Sequence, residues 1–208
     1  MRNVALGKNS SLGEYVLLGI QPKHPVGKLS IGDNATIRSH TVIYGGTKIG
    51  DNFQTGHNAI IREKNSIGND CSIGNNTTLE IGNKIGNKVK IHSNCIIGEN
   101  IKIEDSVWIG PSVITLAILH PPCPKYQECS NSFPITIKKN AKIGGNVTLA
   151  PGVTIEKNCL IGCGSVVTRD IPPQSVAVGN PARVIKDIGE LECILGYYKK
   201  AYEWEGTR

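Results

Sequence analysis

Aromatic side chains make up only 5% of this 208-residue chain, which has two Phe, two Trp and one Met. A core with so few rings must be aliphatic and narrow. No apolar run reaches transmembrane length, and no basic segment followed by an apolar one opens the chain. Neither a membrane partner nor a secretory leader is expected. Lys and Arg outnumber Asp and Glu by 23 to 17, for a net charge of +6. No basic run interleaves with aromatics, so nucleic acid is not an expected partner, whereas an anionic small ligand is. The seven Cys are odd in number and scattered. Cys71, Cys95 and Cys159 fit small core slots, and the set points to a reducing cytoplasm.

What the chain does contain is a repeat. From Ile31 to Thr115 a large aliphatic recurs every six residues, as in Ile31, Ile37, Ile43 and Ile49, with Thr55 and Thr115 as substitutes. Four residues after each comes a smaller one, such as Ala35, Thr41, Thr47, Ala59 or Cys71. A period of six fits neither a helix at 3.6 nor a plain strand at 2. It fits a short strand followed by a short corner of Gly, Asn and Asp, which tolerate positive φ. Three hexads close a triangular coil, and coils stack about 4.8 Å apart. Counting hexads puts Leu6, Ile31 and Ile49 on a first face, Leu12, Ile37 and Thr55 on a second, and Leu18, Ile43 and Ile61 on a third. The expected fold is all-β: a triangular stack of about eight parallel β-coils, roughly 38 Å long. One long loop, 116–136, and a shorter excursion, 20–30, leave the same corner. Residues 1–172 form the β-helix. Residues 173–208 form an extended segment and a helix, the latter from Ile188, Leu191, Leu195, Tyr198 and Tyr202 at helical spacing. Such a helix would cap the open end.

The repeat resembles that of the hexapeptide-repeat acyltransferases, and the resemblance implies a left-handed parallel β-helix. The stretches Pro151-Gly152-Val153-Thr154-Ile155, Ile161-Gly162-Cys163-Gly164-Ser165-Val166-Val167-Thr168-Arg169-Asp170-Ile171-Pro172 and Gly179-Asn180-Pro181-Ala182-Arg183 closely resemble the galactoside and maltose acetyltransferase branch. The resemblance implies acetyl-coenzyme A as co-substrate and a homotrimer with its sites in the grooves between subunits. It implies that Gly145 and Cys163 offer backbone groups to the pantetheine arm, and that Thr168, Arg169 and Arg183 sit near the adenine and phosphates. The branch often has Ser and Ala where this chain has Gly145 and Cys163, changes that backbone contacts would survive. Guanidinium groups beside a Gly-rich turn suit phosphate.

Acyl transfer needs a base near neutral pH, and His is the usual one. His57 lies in a polar run, Gln54 to Glu63, where Thr55 replaces the aliphatic. This run resembles hexapeptide N-acyltransferases acting on nucleotide-linked amino sugars. The resulting expectation is acetylation of the amino group of such a sugar, in surface polysaccharide biosynthesis, with His57 as base and Asn58, Arg62 and Glu63 holding the acceptor. The alternative is O-acetylation of a simpler sugar. His120, in His120-Pro121, matches the catalytic His-Pro of the galactoside branch by its place in the loop, and is the rival base or an acceptor ligand. His40 shares a side with His57, while His24 and His92 have weaker cases.

A γ-type carbonic anhydrase would need two His ligands at short spacing on one coil, and no His-x4-His occurs. No α/β domain precedes the coils, so a nucleotidyltransferase fusion is not expected. A non-catalytic scaffold would not need the polar run. His120, Cys123 and Cys129 are zinc-ligand types at irregular spacing, and three such residues fall short of a structural site. No metal is expected, and a metal assay on the purified protein should give below about 0.1 zinc per chain.

Overall fold

A computed structural model describes residues 3–203 except 122, 126–127 and 129–132. The architecture is an all-β, left-handed parallel β-helix. Two sheets have eight strands each and the third has ten. Register confirms the hexad count. Leu6 pairs with Ile31 and Ile31 with Ile49 on the first face. Leu12 pairs with Ile37 on the second, and Ile43 with Ile61 on the third. The coils are numbered 1 to 8 from Leu6. Coil 3 holds Ile49, Thr55 and Ile61, coil 6 holds Ile103, Ile109 and Thr115, and coil 8 holds Ile155, Ile161 and Val167. Corners take the number of the face they follow. Both excursions leave the third corner, after coils 1 and 6.

The corners explain the period. Three residues after the inward aliphatic the backbone turns left-handed wherever the next hexad follows directly. On the first corner Asn34, Asn52, Asp70 and Lys88 have φ from 57° to 59°. Asn and Asp adopt this region at lower penalty than other side chains. The amide of the next small residue then points inward, and the coil closes after eighteen residues. The small slots are buried: Ala35, Thr41, Thr47, Ala59 and Cys95 are 0% exposed. Phe53 is the exception in size. It is fully buried, and its neighbours one coil away in either direction are Ala35 and Cys71, which leave it room.

The outward strand positions differ by face. The third face presents Val42, Ile60, Ile96 and Ile114, three of them well exposed. Trp108 points outward on the second face instead. Val107, beside Trp108 in sequence, occupies an inward slot and is 1% exposed.

Beyond coil 8, Ser175–Gly179 adds a parallel strand to the second sheet, and Ala182–Asp187 folds back against it antiparallel. Where helical spacing predicts a capping helix there is one 3-10 turn, Ile188–Glu190, and then bends and turns to residue 203. Gly196 sits at φ +70°, which a helix interior does not allow. The apolar stripe also has little to pack on: Ile194 is 98% and Leu195 74% exposed. No helix among the described residues is long and apolar enough to cross a membrane.

Phe53→Ala should destabilise the fold by about 3–5 kcal/mol, because its stacked neighbours cannot close the void. A urea unfolding midpoint close to wild type would contradict that packing account.

Candidate active site

Every corner carries two residues between the inward aliphatic and the left-handed turn, and these are the sites a rigid prism offers for chemistry. On the second corner the later of the two forms a column, one per coil: Ser39, His57, Asn75, Ser93, Pro111, Gly145 and Cys163. His57 Nδ1 is bonded to Ser39 Oγ at 2.7 Å, and the His57 amide donates to Asn75 Oδ1 at 2.7 Å. The ring is therefore held by the coil before it and its backbone by the coil after it, leaving Nε2 for a ligand.

A groove of about 470 Å³ runs beside this column across the second face. Its wall includes His57, Asn75, Lys90, His92 and Trp108. His92 packs edge-on to the Trp108 indole, with ring centroids 4.8 Å apart. Thr55, the odd residue of its repeat, is explained by its partners. Its hydroxyl accepts from the Arg38 amide at 3.0 Å and lies 3.2 Å from Thr41 Oγ1. A buried hydroxyl is tolerated when so paired.

Asn58 is exposed and holds the turn at φ 56°, with its amide bonded to Asn76 Oδ1 at 3.2 Å. Arg62 and Glu63 do not join His57. The strand Ile60–Ile61 separates them, and they occupy the third corner. There Arg62 bonds both oxygens of Glu63 at 3.2 Å and reaches Glu80 at 3.0 Å. The hydrogen bonds that Arg62 donates to Glu63, reinforced by the charges of Glu63 and Glu80, hold the guanidinium pKa above its ordinary value. This is a closed ion cluster over the ring of Tyr44, so the expected grouping of Arg62 and Glu63 with His57 is corrected.

Gly145 and Cys163 are brought together as successive members of the column. The Gly164 amide donates to Gly145 O at 2.9 Å, and a Cβ on Gly144 would come within 2.7 Å of the Cys163 amide nitrogen. The end hairpin is tied to the same corner, since the Gly179 amide donates to Ser165 Oγ at 3.1 Å. Arg183 follows that hairpin turn and is exposed. Thr168 and Arg169 are exposed but lie on the third corner, after Val166–Val167. His120 is exposed on the loop beyond coil 6, where its carbonyl accepts from the Cys123 amide at 2.8 Å. Cys129 lies outside the described residues, as do Ser132 and Trp204. Among the described residues no three His, Cys, Asp or Glu side chains form a metal-binding group.

Two family models match the chain: the bacterial transferase hexapeptide (six repeats) over residues 134–169, and the hexapeptide repeat of succinyl-transferase over 64–99. In these two stretches the chain is similar to hexapeptide-repeat proteins. The galactoside O-acetyltransferase of Escherichia coli (strain K12) is 43% identical over 109 residues, which cover 51% of this chain and 53% of that protein. The chain thus spans about half the length of the curated relatives it matches. Two solved structures share the fold over 90% of this chain. One is a UDP-N-acetylglucosamine acyltransferase from Bacteroides fragilis 9343, with TM-score 0.57, 18% identity and 71% of its own length covered. The other is a polySia specific acetyltransferase, with TM-score 0.52, 21% identity and 88% of its length covered.

Ser39 and Asn75 escaped the sequence reading, and the contributions of Lys90 and Trp108 to the groove escaped it too. They are readable once the hexapeptide repeats are written in rows of eighteen, because Ser39 and Asn75 stand one row either side of His57.

Thiol chemistry tests the placements. Burial pushes the thiols of Cys71, Cys95 and Cys159 up. Cys163 is exposed, and backbone hydrogen bonds, led by that of Tyr198, lower the pKa of Cys193. Maleimide at neutral pH should therefore modify Cys163 and Cys193 in the native protein and leave the three buried thiols unmodified until unfolding. Peptide mass spectrometry showing native labelling of Cys95 would contradict this arrangement.

Proposed function

We propose that this chain is an acetyl-coenzyme A-dependent acetyltransferase that acylates a hydroxyl of a sugar, with His120 as general base. The observation that carries the choice of base is level along the prism. The loop bearing His120 leaves coil 6, one coil from Gly145 and two from Cys163. His57 is four coils from Gly145, about 19 Å away at ordinary strand spacing. A donor lying along Gly145 and Cys163 presents its thioester near coil 6, within reach of a loop at that height. The identity to a galactoside O-acetyltransferase supports a sugar hydroxyl as acceptor.

In the proposed step the acceptor oxygen attacks the thioester carbonyl, the new C–O bond forms and the C–S bond breaks. His120 takes the hydroxyl proton, and the departing sulfur takes it back. Backbone amides at Gly145 and Cys163 hold the pantetheine arm, and Arg183, beside the end hairpin, meets the phosphates. Thr168 and Arg169 lie on the other corner and would serve a donor bound to a neighbouring subunit. His120 likewise leaves the third corner, whereas the donor column is on the second. A second copy has to bring the two corners together, which supports a homotrimer. The exposed Ile60, Ile96 and Ile114 of the third face suit that contact. Cysteines left unpaired fit a cytoplasmic enzyme.

A second reading is favoured by the Ser39–His57 pair: N-acetylation of a nucleotide-linked amino sugar with His57 as base. Kinetics separates the two. His120→Ala should lower kcat by about 10²–10⁴, the range for losing a general base, while His57→Ala should mainly raise the acceptor KM. The opposite pattern would move the role to His57. Coenzyme A should also slow maleimide modification of Cys163 but not of Cys193. Unchanged protection at saturating coenzyme A would remove the donor site from this corner. Light scattering that reports a 22.3 kDa species at micromolar concentration would overturn the shared site.

A further inference from the structure

We infer that the groove on the second face is an acceptor site for a saccharide carrying an anionic group, either the carboxylate of an acidic sugar or the phosphate of a nucleotide-activated one. This rests on the sugar-acetyltransferase reading and specifies its substrate class.

The first argument is charge. Arg38, Lys90, His57 and His92 line the groove, and no Asp or Glu does. This contrasts with the neighbouring groove on the first face, of about 430 Å³, where Lys84, Lys102 and Lys139 stand beside Glu104 and Asp105. On the first face Lys138 pairs with Glu156 at 2.6 Å and Lys102 with Glu104 at 3.6 Å. Arg38 and Lys90 form no ion pair among the described residues. A cationic wall with no carboxylate repels basic acceptors and favours acidic ones.

The second argument is the platform. Trp108 is 37% exposed on a face whose outward residues from Ser11 to Lys90 are small or polar. Its indole is held by His92 rather than buried in the core. Lys90 lies directly alongside in register. An indole stacks on the apolar face of a pyranose, or on a base, while the adjacent ammonium meets the charge.

The third argument is direction. The groove draws four residues from each of coils 3, 4 and 5, with Arg38 of coil 2 and Trp108 of coil 6 at its ends, so its polar groups repeat about every 4.8 Å along the axis. Trp108 is on coil 6, the level of the proposed base, and His57 is three coils further from the donor. The sugar to be acetylated therefore sits at Trp108, and the remainder of the acceptor extends past Lys90 and Asn75 towards His57.

Isothermal titration without acetyl-coenzyme A tests this with trigalacturonate, maltotriose and UDP-N-acetylglucosamine as probes. An anionic probe should bind at least about tenfold more tightly than maltotriose at low salt, the worth of one charge-assisted hydrogen bond. Whichever anionic probe binds names the source of the charge. Lys90→Gln should remove most of that preference, and Trp108→Ala should weaken all saccharide binding. Lys84→Gln, on the first face, should change neither. Equal binding of maltotriose and both anionic probes would overturn the inference, as would equal losses in Lys84→Gln and Lys90→Gln. An anionic ligand that binds as described but is never acetylated would overturn the activity and leave the groove standing. Acetylation with no charge preference would do the reverse.

Discussion

The structure depends on one backbone requirement: a left-handed residue at each corner, three places after the inward aliphatic. With it, the amide of Ser30 reaches the Thr47 carbonyl at 3.0 Å, that of Thr36 reaches Phe53 at 2.8 Å, and that of Val42 reaches Ala59 at 2.9 Å. The same link recurs on every face. Each coil is thereby hydrogen-bonded to the next along its whole circumference, which is how a strand of two or three residues can persist at all. Asn and Asp at the turns add a second bond per coil, as in Asn34 to Asn52 at 3.1 Å and Asn52 to Asp70 at 2.8 Å. The repeat is a property of the corner more than of the strand.

That requirement also restricts where polarity can go. Inward slots accept a polar group only when a neighbouring coil satisfies it. Asn65 and Asn83 are buried on the third corner, and the Asn65 side-chain amide donates to Arg62 O at 2.7 Å and Glu80 O at 2.9 Å. The Asn83 amide nitrogen in turn donates to Asn65 Oδ1 at 3.0 Å. Among the described residues no buried side-chain nitrogen or oxygen lacks a partner. The ion cluster of Arg62, Glu63 and Glu80 rests on this ladder, which makes it part of the corner's construction. Glu63 is 6% exposed and could not bind an acceptor without abandoning Arg62.

Hexad counting made the prism legible because the period is enforced at every corner. Face, coil and corner followed for Leu6 through Val167. The same count puts Arg62 and Glu63 at the corner the loops leave and His57 at the corner before it, yet the polar run joined them as one acceptor group. Proximity in sequence misled there, because five residues are enough to round a corner onto the next face. The tail failed for a different reason. Ile188, Leu191 and Leu195 have helical spacing, but spacing specifies a helix only if something buries the stripe. The end of the prism is already covered by the hairpin of Ser175–Gly179 and Ala182–Asp187, whose pairing was not written in any hexad. The groove was hidden because its residues come from different coils, eighteen apart.

A rigid prism cannot close around a substrate, so specificity has to be laid out along a line. The second corner is such a line. Its members are polar at Ser39, His57, Asn75 and Ser93 and become small or ring-shaped at Pro111, Gly145 and Cys163. The change coincides with coil 6, where the long loop leaves. Side chains with hydrogen-bonding groups occupy one half, and the half nearer the end exposes backbone, as a close approach by a slender chain requires. Because the loop leaves the third corner and the line runs along the second, a single prism would separate the parts proposed to react by a whole face. Assembly around a common axis is the simplest way to set them opposite each other, and it places the apolar third face where it need not meet water.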